Sequence, residues 1–204
     1  MKELGLVGLI GRWKPLHNAG AVILETLCEK AEHVIIGIGS CNKYNLRNPF
    51  TAEESKEMID AVLGRKYSNY SFVFIPDFAH IPEYRDGKKW KQYLIEQYGK
   101  LDCFVSGNEY VYELLKDDYN VIHPAELIPP EKQIKLKATQ VRVEIAKNGN
   151  WKSLVPEPVV EYLEKNKLVA RFRKEFGLAA LASLADNYKG HETMEQERAH
   201  TYEK

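Results

Sequence analysis

The residues from Leu4 to Gly20 constrain the fold more than any other part of this sequence. An apolar run that ends at Ile10 has the length of a β-strand, and its lack of alternation with polar residues indicates burial on both faces. Gly11 breaks the run, and a helical apolar pattern starts after Gly20. A buried strand, a glycine turn and a helix start in this order are typical of an α/β sheet that binds a phosphate group.

The turn between this strand and this helix carries groups that suit an anion. Backbone N–H groups at a glycine turn and at a helix N-terminus lack partners and bear partial positive charge. Arg12, Lys14 and His17 are expected to add cationic donors to the same pocket. The spacing matches neither the dinucleotide-binding glycine fingerprint nor the P-loop, so we expect a phosphate-binding turn of another kind.

The rest of the chain continues to alternate strands and helices. Continuous β-branched or aromatic runs predict strands, and apolar residues three or four positions apart predict helices. The later predicted strands cover 33–38, 70–76, 101–106 and 120–123. The predicted helices cover 20–31, 51–63, 90–98, 110–115, 140–147, 156–163 and 168–189, and a polar connector covers 124–136. This order predicts an α/β fold with a mainly parallel sheet flanked by helices, and with a C-terminal helical extension that docks on this subunit or on a neighbour.

Two of the predicted helices carry recognisable end residues. Thr51 precedes a helical pattern with Glu54 three residues later, which is the spacing of a capping box. Thr139 is the expected N-cap of a later helix, and Gly149 is expected to end that helix.

Polar segments follow each of the first four predicted strands. These segments are Gly11–His17, Gly39–Arg47, Asp77–Trp90 and Ser106–Asn108. Ligands of parallel α/β sheets bind beyond the C-terminal ends of the strands. We therefore expect the four segments to surround one site.

Composition narrows the class of protein further. Lys and Arg together number 29, as do Asp and Glu, so no net charge attracts nucleic acid or an anionic membrane. The three cysteines have no C-x-x-C spacing and predict neither a disulfide framework nor a zinc site. The sequence shows no apolar run of membrane-spanning length and no signal-peptide pattern. We predict a cytoplasmic protein with one domain over residues 1–167, followed by a C-terminal helix and polar tail over residues 168–204.

The segment Gly11–Gly20 resembles the motif G-R-F-Q-P-F-H-x-G-H of the nucleotidyltransferase superfamily. The resemblance is to the archaeal type of nicotinamide-mononucleotide (NMN) adenylyltransferase, and it extends through several motifs over residues 4–165. It implies a Rossmann-like nucleotidyltransferase fold. Ala19 and Gly20 stand where the family has Gly and a second His. The matching residues of the motif are Gly11, Arg12, Pro15 and His17.

Two further motifs resemble family segments that bind phosphate. Gly39, Ser40 and Arg47 match a loop from which, by the resemblance, Arg47 reaches the phosphates across the cleft. Thr139, Val141 and Arg142 match the family's I-S-(S/G)-T-x-(V/I)-R segment. There the resemblance implies that a Thr hydroxyl binds phosphate and that the Arg stabilises the leaving pyrophosphate.

Two motifs resemble segments that bind the bases. Ser106, Gly107 and Asn108 match a segment that lies near the adenine in the family. Trp90 follows a loop in which the family places an Asp and then a Trp that stacks on the nicotinamide. The candidates for the acidic partner are Asp77 and Asp86.

The resemblance implies adenylyl transfer from ATP to NMN, which gives NAD and pyrophosphate. It implies that Mg²⁺ is held by the ATP phosphates, that the protein has no metal site of its own, and that the subunits form a homo-oligomer. Lys14 and Lys137 stand where the family has Gln and Ser, and we hypothesise that their charges partly replace the missing imidazole. The expected catalytic residues are Lys14, His17, Arg47 and Arg142. The residues expected to bind nucleotide are Gly11, Arg12, Gly39, Ser40, Trp90, Ser106, Gly107, Asn108 and Thr139.

Two other functions stay open at the level of sequence. The loop over residues 77–90 departs from the family pattern, which favours the same chemistry with another phosphate acceptor, such as phosphopantetheine, FMN or a sugar or alcohol phosphate. Gly20 in place of the second His favours a nucleotide-binding relative without turnover.

Overall fold

The computed structural model describes residues 2–187 and contains a five-stranded sheet in which every neighbouring pair is parallel. The strand order is β3-β2-β1-β4-β5. The strands are β1 (Leu4–Gly11), β2 (Ala31–Gly39), β3 (Tyr70–Ile75), β4 (Cys103–Val105) and β5 (Val121–Ile122). The predicted parallel α/β fold is therefore confirmed.

Helices connect the strands and continue after the last strand. They are α1 (Asn18–Lys30), α2 (Ala52–Leu63), α3 (Lys88–Tyr98), α4 (Glu109–Leu115), α5 (Pro124–Leu127), α6 (Ala138–Lys147), α7 (Glu157–Lys165) and α8 (Leu168–Asn187). The short helix α5 lies in the segment that was predicted to be an irregular connector. It forms because Pro124 suits the first helical position and the side chain of His123 accepts the backbone N–H of Ala125.

The sheet is covered on both faces, which explains the continuous apolar strands. In β4, Cys103 and Val105 belong to the core cluster that also contains buried residues of α1, α2, α6, α7 and α8. Phe104 between them points to the opposite cluster, which is built with residues of α3 and α4. Alternate residues of one strand thus face two different helix layers.

The capping box at the start of α2 is present as predicted. Thr51 Oγ1 accepts the backbone N–H of Glu54, and Glu54 Oε2 accepts the backbone N–H of Thr51. At α6 the prediction was wrong, because the N-cap is Lys137, whose N–H donates to Gln140 Oε1. The hydroxyl of Thr139 is instead occupied by Arg142.

The C-terminal end of α6 also differs from the expectation. The capping residue is Asn148, which adopts the left-handed conformation with φ of 58°. Gly149 had been expected to end the helix. Asn tolerates this conformation better than most non-glycine residues, so no glycine is needed at the cap.

Helix α8 docks on its own chain. Leu168 and Phe172 are buried in the same core cluster as the residues of β1. The ring of Phe172 stacks on Phe50 at a centroid distance of 6.2 Å. The predicted tail over residues 190–204 lies outside the described residues. Within residues 2–187, no helix combines the length and the apolar character that crossing a membrane requires.

Candidate active site

A cavity of about 590 Å³ opens at the C-terminal ends of the strands. Gly11 borders it at the end of β1, Gly39 at the end of β2 and Ile75 at the end of β3, and residues that follow β4 complete the wall. The strand order reverses between β1 and β4. Open parallel sheets bind their ligands at such a reversal, and the volume is that of a small-molecule pocket.

The four polar segments that were expected to surround one site do meet at this cavity. Asp77 lines it, whereas the alternative acidic residue Asp86 does not. Gly107 lies just outside, where a Cβ atom would be 3.4 Å from His123 Nε2. The sequence-predicted residues that line the cavity are Gly11, Arg12, Gly39, Ser40, Arg47, Trp90, Ser106 and Asn108.

The cavity wall is cationic and partly aromatic. Asp77 is the one carboxylate among the described lining residues. The cations are Arg12, Lys43, Arg47 and Arg85, and the aromatic side chains are Phe78, Tyr84, Trp90 and Tyr110. Such a wall suits a ligand with several phosphates and flat rings. Sequence reasoning missed Lys43 and Arg85, although both lie in polar segments that follow a strand.

Lys14 does not line the cavity. Its side chain is only 1% exposed, and Nζ donates to the carbonyl oxygen of Ser40 over 2.9 Å. Ser40 has a φ of 52°, in the left-handed region that few non-glycine residues adopt. Burial lowers the pKa of Lys14 from 10.5 to about 8. The ammonium group thus joins the loop after β1 to the loop after β2.

His17 is the N-cap of α1, and its Nδ1 accepts the backbone N–H of Gly20 over 3.2 Å. Burial, and then the charge of Arg142, lower its pKa from 6.5 to about 4. The imidazole is therefore neutral at pH 7, in contrast to the expected cation. Since Nδ1 is an acceptor, the ring proton resides on Nε2, where it is available as a neutral donor.

Arg142 ties α6 to the first loop. It is 7% exposed; one guanidinium nitrogen donates to the Lys14 carbonyl oxygen over 3.0 Å, and another donates to Thr139 Oγ1 over 3.0 Å. Neither Arg142 nor Thr139 lines the cavity, and the same is true of His17. These residues form a second cluster, which is connected to the cavity wall through Lys14.

Trp13 is a structural residue of the site that the sequence did not reveal. Its φ is 56°, and Nε1 donates to the Gly37 carbonyl oxygen over 2.9 Å. A Cβ atom at Gly11 would lie 2.6 Å from the indole ring, and one at Gly20 would lie 3.3 Å from it. Leu16 and the indole therefore both border position 20, and a side chain there requires one of them to shift by a few tenths of an ångström.

The sequence profile of the cytidylyltransferase-like family matches residues 9–196 of this chain. This match spans both the loop after β1 and the helices after the sheet. The chain belongs to the cytidylyltransferase-like family. The membership agrees with the parallel sheet and with the position of the cavity.

Curated relatives of this chain are similar to it over most of their length. A nicotinamide-nucleotide adenylyltransferase from Thermococcus sibiricus is 34% identical over 169 residues, which are 80% of this chain and 86% of the relative. A nicotinamide-nucleotide adenylyltransferase from Methanococcus maripaludis is 32% identical over 168 residues, which are 81% of this chain and 92% of the relative.

Solved structures of more distant proteins share the fold. A bifunctional NMN adenylyltransferase/ADP-ribose pyrophosphatase from Francisella tularensis, complexed with AMP and a manganese ion, superposes with a TM-score of 0.68 at 17% identity. The superposition covers 92% of this chain but only 57% of that longer chain. A nicotinate-nucleotide adenylyltransferase-like protein from Vibrio parahaemolyticus gives a TM-score of 0.55 at 16% identity, over 85% of this chain and 96% of that one.

The side chains of this cytidylyltransferase-like protein show whether it could bind a metal ion by itself. Within residues 2–187, no three His, Cys, Asp or Glu side chains come together as a metal site. The cavity offers four cationic side chains and one carboxylate, which is a poor set of ligands for Mg²⁺. The described residues of the wall therefore do not form a site that would hold Mg²⁺ by themselves.

Proposed function

We propose that this protein transfers the adenylyl group of ATP to the phosphate of NMN and releases pyrophosphate. The observation that carries the proposal is the cationic, aromatic-lined cavity at the reversal of the strand order, in a chain that is 34% identical to an NMN adenylyltransferase over most of both lengths. A nucleoside triphosphate and a pyridine mononucleotide together present phosphates and flat rings, which this wall suits.

In the proposed reaction an oxygen of the NMN phosphate attacks the α-phosphorus of ATP. The bond between the α-phosphorus and the bridging oxygen breaks, and pyrophosphate leaves with the bonding electrons. Catalysis of such a transfer consists of positioning and of neutralising the negative charge on the phosphates. Mg²⁺ would enter with the triphosphate and supply part of that neutralisation.

We assign the direct phosphate contacts to Arg12 and Arg47. Both side chains line the cavity, from the loop after β1 and the loop after β2, respectively. A guanidinium group can donate two parallel hydrogen bonds to one phosphate. Lys14 and Arg142 would act indirectly, because their donor groups are bonded to the backbone of these loops. His17 would contribute a neutral Nε2–H donor.

We assign the two bases to different parts of the cavity wall. The turn after β4 is fixed by internal bonds, since Ser106 Oγ accepts the Asn108 N–H and Asn108 Oδ1 accepts the Val111 N–H. This rigid turn is our candidate for the adenine side. Trp90, with Asp77 nearby in the same wall, is our candidate for the nicotinamide side.

The direct test incubates the purified protein with ATP, Mg²⁺ and one acceptor at a time: NMN, nicotinate mononucleotide, FMN or phosphopantetheine. We expect NAD and pyrophosphate in equal amounts with NMN. If product formed with a different acceptor and not with NMN, that acceptor would replace NMN as the proposed substrate. ATP binding without product from any acceptor would support a non-catalytic nucleotide-binding protein.

A pair of variants links the activity to this cavity. Arg47→Ala removes a cation from the wall, whereas Arg65→Ala removes a surface cation whose side chain is 72% exposed. We expect the first to lose most of the kcat/KM for ATP and the second to keep it. Equal rates for both would place the reaction elsewhere on the protein.

A further inference from the structure

The loop between β2 and α2 carries a large share of the cavity wall. Ser40, Lys43, Arg47 and Asn48 all contribute to it. Within the loop, Asn45 Oδ1 accepts the backbone N–H groups of Arg47 and Asn48, each over 3.0 Å. These local bonds fix the turn around Arg47, but they do not fix where the whole turn lies relative to the sheet.

Helix α8 holds the far end of this loop. Arg171 donates to both carboxylate oxygens of Glu54, over 2.6 Å each, and to the carbonyl oxygen of Pro49 over 3.2 Å. Glu54 Oε2 also accepts the N–H of Thr51 in the capping box. One guanidinium group thus binds the last turn of the loop and the first turn of α2 together.

The same helix holds the near end of the loop one turn later. The Tyr44 hydroxyl donates to Glu175 Oε2. The ring of Tyr44 meets the ring of Phe176 edge-on at 5.4 Å between centroids, and the Arg171 guanidinium lies 5.7 Å from the Tyr44 centroid. The contacts at Tyr44 and at Pro49 therefore bracket Arg47.

Helix α8 is itself held in place by the core and by α6, so its contacts can fix the position of the loop. Phe172 is fully buried beneath the loop against Phe50. Arg173 Nε donates to the Ile145 carbonyl oxygen of α6 over 2.7 Å. Because α6 also carries Arg142, α8 connects the loop of Arg47 to the helix that braces the first loop.

We propose that α8 positions the loop over residues 44–50 through Arg171 and Glu175, so that Arg47 faces the phosphates of the nucleotide. Arg171 is then a positioning residue that acts through Arg47. The proposal rests on the proposed function in one respect, since it takes a nucleoside triphosphate as the ligand that Arg47 contacts.

The first test measures the loop without any ligand. Backbone hydrogen exchange is compared between the wild type, Arg171→Ala and the control Lys174→Ala, which changes an exposed residue of the same helix. We expect about tenfold faster exchange over residues 42–50 in Arg171→Ala alone, with unchanged exchange in β1. Unchanged exchange over residues 42–50 would overturn the proposal, whatever the protein catalyses.

The second test asks whether Arg171 acts through Arg47. We expect Arg171→Ala to weaken Mg-ATP binding about tenfold, and Arg171→Lys to restore only part of it, because the two-pronged contact is lost. In the Arg47→Ala background, Arg171→Ala should cause no further loss. A full tenfold further loss in that background would show an independent effect and refute positioning.

The two tests also separate this proposal from the proposed function. If the wild type binds no ATP, the proposed function fails, while hydrogen exchange still decides whether α8 holds the loop. If the wild type binds ATP and Arg171→Ala binds it equally well, the proposed function stands and the positioning role is wrong.

Discussion

Replacing Lys14 by Met removes the buried ammonium group that joins two loops of the site. The Lys14 side chain is 1% exposed, and burial is the main cause that lowers its pKa from 10.5 to about 8. Each pKa unit corresponds to about 1.4 kcal/mol, so holding this group charged in the folded protein costs about 3 kcal/mol relative to the unfolded chain. Met fills a similar volume without a charge.

The sign of the pH dependence follows from the lowered pKa. Between pH 8 and pH 10.5 the unfolded chain keeps the Lys14 proton and the folded protein does not, so stability from this group rises with pH. From pH 7 to pH 9.5 the rise in the free energy of unfolding is about 2 kcal/mol. Lys14→Met lacks this rise. The contributions of the other titrating groups are the same in both proteins, so they cancel when the unfolding free energies of the wild type and Lys14→Met are subtracted.

Urea unfolding at pH 7 and at pH 9.5 measures the effect. The difference in unfolding free energy between the wild type and Lys14→Met should shift by about 2 kcal/mol in favour of the wild type at the higher pH. Lys135→Met, which changes an exposed lysine, should show no such shift. A difference that is the same at both pH values would refute the argument that Lys14 is a buried cation.

Other substitutions separate the contributions of residues around the cavity. Arg47→Lys keeps the charge but loses the planar fork, so steady-state kinetics should show about tenfold lower kcat/KM for ATP; an unchanged value would exclude bidentate phosphate contact. Gly20→His places a Cβ 3.3 Å from the ring of Trp13, and urea unfolding should show a loss of about 1–3 kcal/mol. Unaltered stability would mean that Leu16 and Trp13 shift at little cost to accept the new side chain. Trp90→Ala should raise the KM for NMN about tenfold and leave the KM for ATP unchanged, whereas an equal rise in both would argue against stacking on the acceptor.

The sequence was sufficient to predict the fold and the position of the cavity. Strands without polar alternation, separated by amphipathic helices, leave few arrangements other than a parallel sheet covered on both faces. Parallel strands end at the same edge, so Gly11, Gly39, Asp77 and Ser106 could be placed together without knowledge of any contact. The capping box at Thr51 depends on neighbouring residues only, which is why it was predicted correctly.

Side-chain directions after the glycine turn could not be predicted in the same way. The charges of Arg12 and Lys14 are equivalent in sequence, yet Arg12 lines the cavity and Lys14 is buried against Ser40. The difference depends on the backbone of Trp13, whose φ of 56° turns the chain between them. That conformation is stabilised by a partner 24 residues away, the Gly37 carbonyl, which no local pattern reveals.

The contacts of α8 with the loop could not be predicted from the sequence either, because their partners are far apart in the chain. Arg171 and Glu54 are 117 residues apart, and nothing in either local pattern pairs them. The wrong N-cap at α6 has a different and local cause, because Arg142, three residues further along the same helix, donates to the hydroxyl of Thr139. Loop residues such as Lys43 and Arg85 lack periodicity, so only the folded chain assigns them to the wall.

Adenylyl transfer itself is tested most directly by following the phosphorus atoms of ATP. Two reactions with NMN and Mg²⁺ use ATP that carries radioactive phosphorus at the α-position or at the γ-position. The proposed reaction predicts that the α label appears in NAD, that the γ label appears in pyrophosphate, and that the two products form in equal amounts. An α label recovered in AMP or ADP, or a γ label recovered in free phosphate before any pyrophosphatase is added, would contradict it.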